Sequence, residues 1–227
     1  MSKVKVKICG IRSLEEAKAA LEAGADALGF NFWPPSPRYM EPEAAREIID
    51  KLSPMALVVG VFVNEESSRI LDIASELRLS AVQLHGDESP EFCEGLGSIK
   101  TIKAIRVGQD FDLSVIRSYP VQMILLDSNI KGNYGGTGQR FDWRIAIEAK
   151  RLAPIILAGG LTTENVRDAI THVQPAAIDV CSGVEAEPGR KDFDKLRKFM
   201  AEVVRGNAAL SNSDRGAEGE SLESWIR

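Results

Sequence analysis

Short apolar runs alternate with amphipathic segments along most of the chain. Between the runs, apolar residues recur at helical spacing, as Leu14, Ala17 and Leu21 do. Strands separated by helices at such intervals are typical of parallel sheets with crossover helices, so the pattern predicts an α/β protein. The eight predicted strands end near Ile8, Phe30, Val61, Leu84, Ile105, Leu126, Leu157 and Val180.

Several polar residues stand where helices are expected to begin. Ser13 and Glu16 have the spacing of a capping box, in which the two side chains bond the first free N–H groups of a helix. Asn64 is predicted to cap the third helix, and Thr162 or Thr163 the helix after the seventh strand.

Eight strand-helix units predict a single (β/α)8 TIM barrel over residues 1–205. The rival is a doubly wound open sheet, which usually has fewer strands, and no Gly-x-Gly-x-x-Gly follows the first strand. Residues 206–227 are rich in Gly, Ser, Asn, Asp and Glu and are predicted to be a disordered tail.

Composition narrows the possible functions. A net charge of −5 argues against a general nucleic-acid surface, and the longest apolar stretch, residues 55–63, is too short to span a membrane. The N-terminus has lysines within a strand pattern, which argues against a signal peptide. Three scattered cysteines indicate a reducing cytoplasm rather than a disulfide framework, and two histidines make a histidine-rich metal centre unexpected.

Two titratable residues end predicted strands. Cys9 ends the first strand and Asp127 the sixth, so in an eight-strand ring they face each other across the mouth, where barrels place their sites. An acid and a base in this arrangement form a proton-transfer pair. Each also has a plainer interpretation, Cys9 as core filler and Asp127 as a turn or cap residue. Lys7 shares the strand parity of Cys9, so it is expected to lower the pKa of the thiol or to be an interior charge.

Other segments at the same face suggest an anionic ligand. Small residues follow strands 7 and 8, around Gly160 and around Ser182 and Gly183, where barrels often bind phosphate. Arg38 lies in a proline-stiffened loop and is either a carboxylate ligand or a solvated side chain. His85 ends the fourth strand and is expected to line the site. A glycine-rich loop follows strand 6, over residues 128–139, and is predicted to be a mobile lid.

As a set, these motifs resemble the phosphoribosylanthranilate isomerases of tryptophan biosynthesis. The resemblance covers about residues 4–205 and rests on seven segments in the same order. Cys181 departs from the family, which commonly has serine there. The segments are Lys7-Ile8-Cys9-Gly10, Ser36-Pro37-Arg38-Tyr39, Gln83-Leu84-His85-Gly86, Leu126-Asp127, Gly135-Gly136-Thr137-Gly138, Leu157-Ala158-Gly159-Gly160-Leu161 and Asp179-Val180-Cys181-Ser182-Gly183-Val184-Glu185.

The resemblance implies an Amadori rearrangement of N-(5-phosphoribosyl)anthranilate to 1-(2-carboxyphenylamino)-1-deoxyribulose 5-phosphate, without metal or organic cofactor. By motif, Asp127 is expected to be the general acid, Cys9 the general base and Arg38 the anthranilate carboxylate ligand. Asp179 is expected to contact the sugar hydroxyls.

The backbone at Gly160, Ser182 and Gly183 is expected to hold the phosphate. The expected partner is this small phosphosugar-anthranilate, with no nucleic acid and no membrane, and the chain is expected to be a monomer or homodimer.

Two other functions compete with this one. The histidine-pathway isomerase performs the same rearrangement, but that family resembles a duplicated half-barrel with aspartates as acid and base, so Cys9 argues against it. A barrel that only binds a phosphate ligand would need neither Cys9 nor Asp127.

Overall fold

The computed structural model describes residues 3–108, 111–128 and 141–213. Its eight parallel strands pair in sequence order, and β8 pairs with β1 to close the barrel. The predicted barrel is therefore confirmed. The strands are β1 (Lys5–Cys9), β2 (Ala27–Asn31), β3 (Leu57–Phe62), β4 (Ala81–Leu84), β5 (Thr101–Val107), β6 (Met123–Ser128), β7 (Ile155–Leu157) and β8 (Ala177–Val180).

Within the described ranges, seven helices pack around the strands. Ser13 caps the first as predicted, because its side chain accepts a hydrogen bond from the amide of Glu16. The prediction that Asn64 caps the third helix is wrong, because Asn64 has φ of 50° and α3 begins three residues later. The helices are α1 (Leu14–Glu22), α2 (Pro42–Ile49), α3 (Ser67–Glu76), α4 (Pro90–Gly95), α5 (Trp143–Ala149), α6 (Val166–Val173) and α7 (Phe193–Ser213).

Two connections depart from a strand-helix repeat. The described part of the link between β5 and β6 contains a 3₁₀ helix, Leu113–Ser118, in place of the expected α-helix. After β8 the chain makes a 3₁₀ turn, Ser182–Val184, and then a short hairpin of β9 (Glu185–Glu187) and β10 (Arg190–Lys191) before α7 begins. This hairpin returns side chains to the mouth of the barrel beside β1 and β8.

Side chains that alternate along each strand form two separate cores. One set faces outward and packs against the helices, as Ile8 and Leu28 do. The other set fills the barrel interior, with Val59, Met123 and Leu125 among its fully buried members. On β1 the inward positions are polar instead, because Lys7 and Cys9 alternate with the outward Val6 and Ile8. The apolar floor thus gives way to a polar layer near the carboxyl ends of the strands.

The last helix extends further than predicted. It continues to Ser213, so the predicted boundary of the barrel domain at residue 205 is too early. Asn207 accepts a hydrogen bond from the amide of Val4 at 2.8 Å and donates to its carbonyl at 3.1 Å. Leu210 is also buried. These contacts retain residues 206–213 in the folded domain, whereas the prediction of a disordered tail over residues 214–227 lies outside the described residues.

Within the described part of the chain, no helix is long and apolar enough to cross a membrane.

Candidate active site

A cavity of about 60 Å³ opens at the carboxyl ends of the strands. The strand ends and the loops that follow them line it, as expected for this fold. All of the residues predicted for the site meet there, although they come from six regions of the sequence. They are Cys9, Arg38, His85, Asp127, Gly160, Asp179, Ser182 and Gly183.

Cys9 is buried on one side of this cavity, with 8 % of its surface exposed. The neighbouring thiol of Cys181 is the strongest influence that lowers the pKa of Cys9. The ammonium groups of Lys7 and Lys191 lower it further. Together these interactions outweigh burial and hold the pKa of the Cys9 thiol well below its usual value, which favours the thiolate.

Lys7 also bonds Asp179 on the neighbouring strand, with 2.8 Å between its Nζ and Oδ1. Both side chains are buried. Burial raises the pKa of Asp179 to about 6, even though the charge of Lys7 lowers it. Asp179 is therefore ionised at pH 7, and the pair fixes the Lys7 ammonium group beside the thiol.

Room for these two side chains comes from Gly29 on β2, the register partner of Cys9. A Cβ atom on Gly29 would lie 2.9 Å from the Cys9 sulfur and 3.0 Å from Nζ of Lys7. The first distance is shorter than real Cβ contacts, and the second would require Nζ to shift. A side chain at residue 29 would therefore displace Cys9 or Lys7, which the sequence pattern did not reveal.

Arg38 reaches the cavity and is held there by Glu185, a residue for which no role was predicted from the sequence. Its Nε and Nη2 donate to the two carboxylate oxygens of Glu185, at 2.9 and 2.7 Å. Lys191, with a buried ammonium group, bonds the same carboxylate at 3.0 Å. The two cations hold the pKa of Glu185 below its usual value in spite of burial. Glu185 lies within a quoted motif, whereas nothing in the sequence marked Lys191.

The opposite side of the cavity contains a chain of three polar side chains. Oδ2 of Asp127 is 3.2 Å from Nε2 of His85, and Nδ1 of His85 is 2.8 Å from Nε2 of Gln83. Oδ1 of Asp127 accepts a hydrogen bond from the amide of Ser128. In this orientation the buried Oε1 of Gln83 has no hydrogen-bond partner among the described residues.

Two proton arrangements fit these distances. In one, Gln83 donates to Nδ1, so His85 carries its proton on Nε2 and donates to an ionised Asp127. In the other, the Gln83 amide is turned over, Nδ1–H donates to its oxygen, and Nε2 accepts a hydrogen bond from protonated Asp127. The orientation of Gln83 is thereby coupled to the proton on Asp127.

The loops after β7 and β8 approach each other closely. Gly159 and Gly160 have φ of 77° and 64°, a conformation that favours glycine. A Cβ atom on Gly183 would lie 1.9 Å from the carbonyl oxygen of Leu161, so a side chain at residue 183 is excluded. Small residues on both loops leave their backbone open to an anion.

The first of these loops is braced by an asparagine. Asn165 donates to the carbonyl of Gly160 at 2.8 Å and accepts from the amide of Thr162 at 2.9 Å. The helix α6 begins after Asn165, so Thr162 and Thr163 are not its caps, as had been predicted.

Across the described ranges, no cluster of three His, Cys, Asp or Glu side chains could hold a metal ion. The predicted glycine-rich lid is not described beyond Ser128, since residues 129–140 lie outside the described residues.

A family model described as N-(5'-phosphoribosyl)anthranilate (PRA) isomerase matches residues 6–202. The chain belongs to the phosphoribosylanthranilate isomerase family. One relative, the N-(5'-phosphoribosyl)anthranilate isomerase of Geobacter sulfurreducens, is 52% identical over 197 residues, which cover 87% of this chain and 97% of the relative. The isomerase of Thermotoga maritima is 49% identical over 199 residues, 87% of this chain and 97% of its own.

Solved phosphoribosylanthranilate isomerases share the fold. One crystal structure, in complex with reduced 1-(o-carboxyphenylamino)-1-deoxyribulose 5-phosphate, is 45% identical with a TM-score of 0.79, covering 89% of this chain and 99% of that one. The Thermus thermophilus structure is 38% identical with a TM-score of 0.82 and the same coverage. A structure of monomers of the dimeric enzyme from Thermotoga maritima is 44% identical with a TM-score of 0.78, again covering 89% and 99%.

Proposed function

We propose that the chain catalyses the isomerisation of N-(5-phosphoribosyl)anthranilate to 1-(2-carboxyphenylamino)-1-deoxyribulose 5-phosphate, a step of tryptophan biosynthesis. The observation that carries this proposal is the meeting of a thiolate and a carboxyl group, Cys9 and Asp127, in one cavity of a chain that belongs to this family. An aldose-to-ketose rearrangement needs one group that gives a proton and one that takes a proton.

In this mechanism Asp127 is the general acid. It protonates the ring oxygen of the ribose, and the ring opens to an iminium ion between C1 and the anthranilate nitrogen. His85 and Gln83 support this step, because one of their two arrangements lets Asp127 hold the proton toward Nε2 of His85. The lone pair of the substrate nitrogen forms the C1–N double bond as the C1–O pair moves to the protonated ring oxygen, and the same nitrogen takes that pair back when C2 loses its proton, so neither step requires a metal ion or organic cofactor.

Cys9 is the general base. Its thiolate removes the proton from C2 of the iminium ion, and the resulting enolamine tautomerises to the ketone. The low pKa of Cys9 supports this role, because a thiol at its ordinary value is only a few per cent ionised at neutral pH.

The remaining residues bind the substrate. Arg38 is proposed to hold the anthranilate carboxylate through Nη1, since Glu185 engages its other two donors. Asp179 is proposed to contact the sugar hydroxyls. The backbone at Gly160, Ser182 and Gly183 is proposed to bind the phosphate, consistent with the close approach of their two loops.

The protein is further proposed to work in the cytoplasm, as a monomer or homodimer, with this small molecule as its partner. A reducing compartment is consistent with the three free cysteines. Sedimentation of the full chain determines the oligomeric state.

The direct test is a fluorescence assay of phosphoribosylanthranilate consumption. The full chain is expected to consume the substrate, and Cys9→Ala is expected to lower kcat by about 10²- to 10⁴-fold, the range for loss of a general base. Cys93→Ala is the matched control, because Cys93 lies on α4 and does not line the cavity. Near-normal turnover by Cys9→Ala would contradict the assignment of the base.

A further inference from the structure

Cys9 and Cys181 occupy adjoining ends of two paired strands. In the register of β1 and β8, Lys7 is opposite Asp179 and Ile8 is opposite Val180, so Cys9 and Cys181 are the next residues on each chain. Neighbouring strands are about 4.8 Å apart, which lies within the range of about 4.4–6.8 Å between the Cα atoms of a disulfide. Both side chains line the cavity.

The two thiols also lie close enough for each to shift the pKa of the other. Sγ of Cys181 would lie only 3.0 Å from a Cβ atom built on Gly10, the residue that follows Cys9. Both cysteines are free in this structure. The strand register and the direction of both side chains therefore bring two reactive atoms together without movement of the barrel.

We propose that Cys9 and Cys181 form a redox modification site, in which a hydroperoxide converts the pair to a reversible disulfide. The thiolate of Cys9 attacks the terminal peroxide oxygen, the O–O bond breaks, and Cys9 becomes a sulfenic acid as hydroxide or alkoxide leaves. Cys181 then attacks that sulfur, the S–S bond forms, the S–O bond breaks and hydroxide leaves. One proton from solvent converts the first leaving group to water or alcohol and the thiol proton of Cys181 converts the second to water, so the two sulfurs together lose the two electrons that the peroxide gains.

The side chains around the two cysteines explain why Cys9 reacts first and Cys181 second. Lys7, held by Asp179, favours the thiolate of Cys9, and the cavity lets a small peroxide reach it. Cys181 keeps its proton while Cys9 is charged, because each opposes the ionisation of the other. The S–H group of Cys181 donates a hydrogen bond to Oε1 of Glu185, with 3.6 Å between the sulfur and the oxygen, so a carboxylate faces the proton that Cys181 loses when the disulfide forms. A low-pKa thiol beside a second thiol is typical of redox-sensitive sites.

The third cysteine provides an internal control. Cys93 is buried on α4, and burial raises its pKa to about 11. It is therefore a thiol at neutral pH and reacts slowly with peroxides.

The expected loss of isomerase activity on oxidation rests on the proposed function, since a disulfide removes the base that Cys9 supplies.

The test is peroxide treatment of the full chain followed by trypsin digestion without reductant. We expect a peptide of residues 8–12 linked to one of residues 168–190, while the Cys93 peptide, residues 79–100, stays reduced. Thiol titration of the unfolded chain is expected to fall from the 3 cysteines of the sequence to about one. Isomerase activity is expected to be lost in parallel and to return with dithiothreitol.

Two variants test the partner assignment, each compared with its own activity before oxidation. Cys181→Ser is expected to give no linked peptide, and its Cys9 sulfenic acid is expected to be trapped by dimedone far more than in the parent chain. Cys93→Ser is expected to behave like the parent chain.

Absence of the linked peptide from the oxidised parent, or equal dimedone labelling in the parent and Cys181→Ser, would overturn the proposal. Masses and thiol counts are read without substrate, so a chain that forms the disulfide but lacks isomerase activity would contradict only the proposed function.

Discussion

The two sides of the cavity differ in the charge of the side chains around Cys9 and around Asp127. Among the described residues, five charged side chains from five elements or loops stand around Cys9, and each is paired with another. The described partners of Asp127 are the imidazole of His85, which in turn contacts the amide of Gln83, and the backbone amide of Ser128. The five are Lys7, Arg38, Asp179, Glu185 and Lys191.

This difference follows from what each side must hold. A thiolate is stable in a buried place only if fixed positive charge lies near it, and those cations must be balanced to be buried themselves. A carboxyl group that passes a proton needs a neutral partner instead, because a cation beside it would hold it permanently ionised. The comparison teaches that, among the described residues, charged side chains gather beside the proposed base and uncharged groups contact the proposed acid.

The largest expected effect is on the acid side. Asp127→Asn keeps the shape of the side chain but cannot donate the proton, so we expect kcat to fall by about 10²- to 10⁴-fold. Binding of a reduced product analogue is expected to change little, because the amide still occupies the place of the carboxyl group. Titration calorimetry with that analogue, together with the fluorescence assay, separates the two quantities. A loss of binding as large as the loss of kcat would make Asp127 a binding residue.

A smaller effect is expected from a change on the base side. Lys7→Met removes a cation beside Cys9, so the pKa of the thiol rises and the thiolate forms only at higher pH. The acid limb of kcat/KM, which rises with pH as the base ionises, is expected to move upward by about 1–3 pH units. The measurement is kcat/KM between pH 5 and about 9.5.

Lys103 supplies a matched control for Lys7. It is an equally buried lysine, paired with Glu88 at 2.8 Å, but it does not line the cavity. We expect Lys103→Met to lower stability in thermal unfolding without moving the acid limb. If both variants shift the limb equally, the effect comes from general loss of packing and not from charge at Cys9.

The smallest expected effect concerns Gln83. Gln83→Leu removes the hydrogen bond that orients His85, while His85 and Asp127 both remain. A hydrogen bond of this kind contributes about 1 kcal/mol, which corresponds to about a fivefold fall in kcat. KM is expected to stay the same, and steady-state kinetics at saturating substrate measures the change. A fall as large as that of Asp127→Asn would mean that Gln83 does more than orient the imidazole.

The sequence predicted the barrel well because its information is local and repetitive. Every strand end lies within two residues of the predicted position, and the alternation on β1 correctly pointed Lys7 and Cys9 the same way. Because Cys9 ends β1 and Asp127 lies on β6, the strand order alone predicted that they face each other across the barrel mouth. The end of α7 was harder to predict from the sequence. Asn207 and Leu210 are held by contacts with the folded barrel rather than by a strong helical pattern.

The electrostatics of the site could not be predicted in the same way. Arg38 and Glu185 are separated by 147 positions, and no periodicity connects them. Lys191 lies in a run of charged residues that would ordinarily face solvent, and only the β9–β10 hairpin turns it inward. Gly29 has no side chain, and this leaves the space that Lys7 and Cys9 occupy. Such features depend on which elements become neighbours in three dimensions.

The seam between β1 and β8 has a consequence for how the protein is made. The bonds from Lys7 to Asp179 and from Arg38 to Glu185, like the pairing of Cys9 with Cys181, join the first fifth of the chain to its last quarter. While a ribosome is still synthesising the middle of the chain, β1 has no β8 to pair with. The charged surroundings of Cys9 therefore assemble last, after almost the whole barrel has emerged.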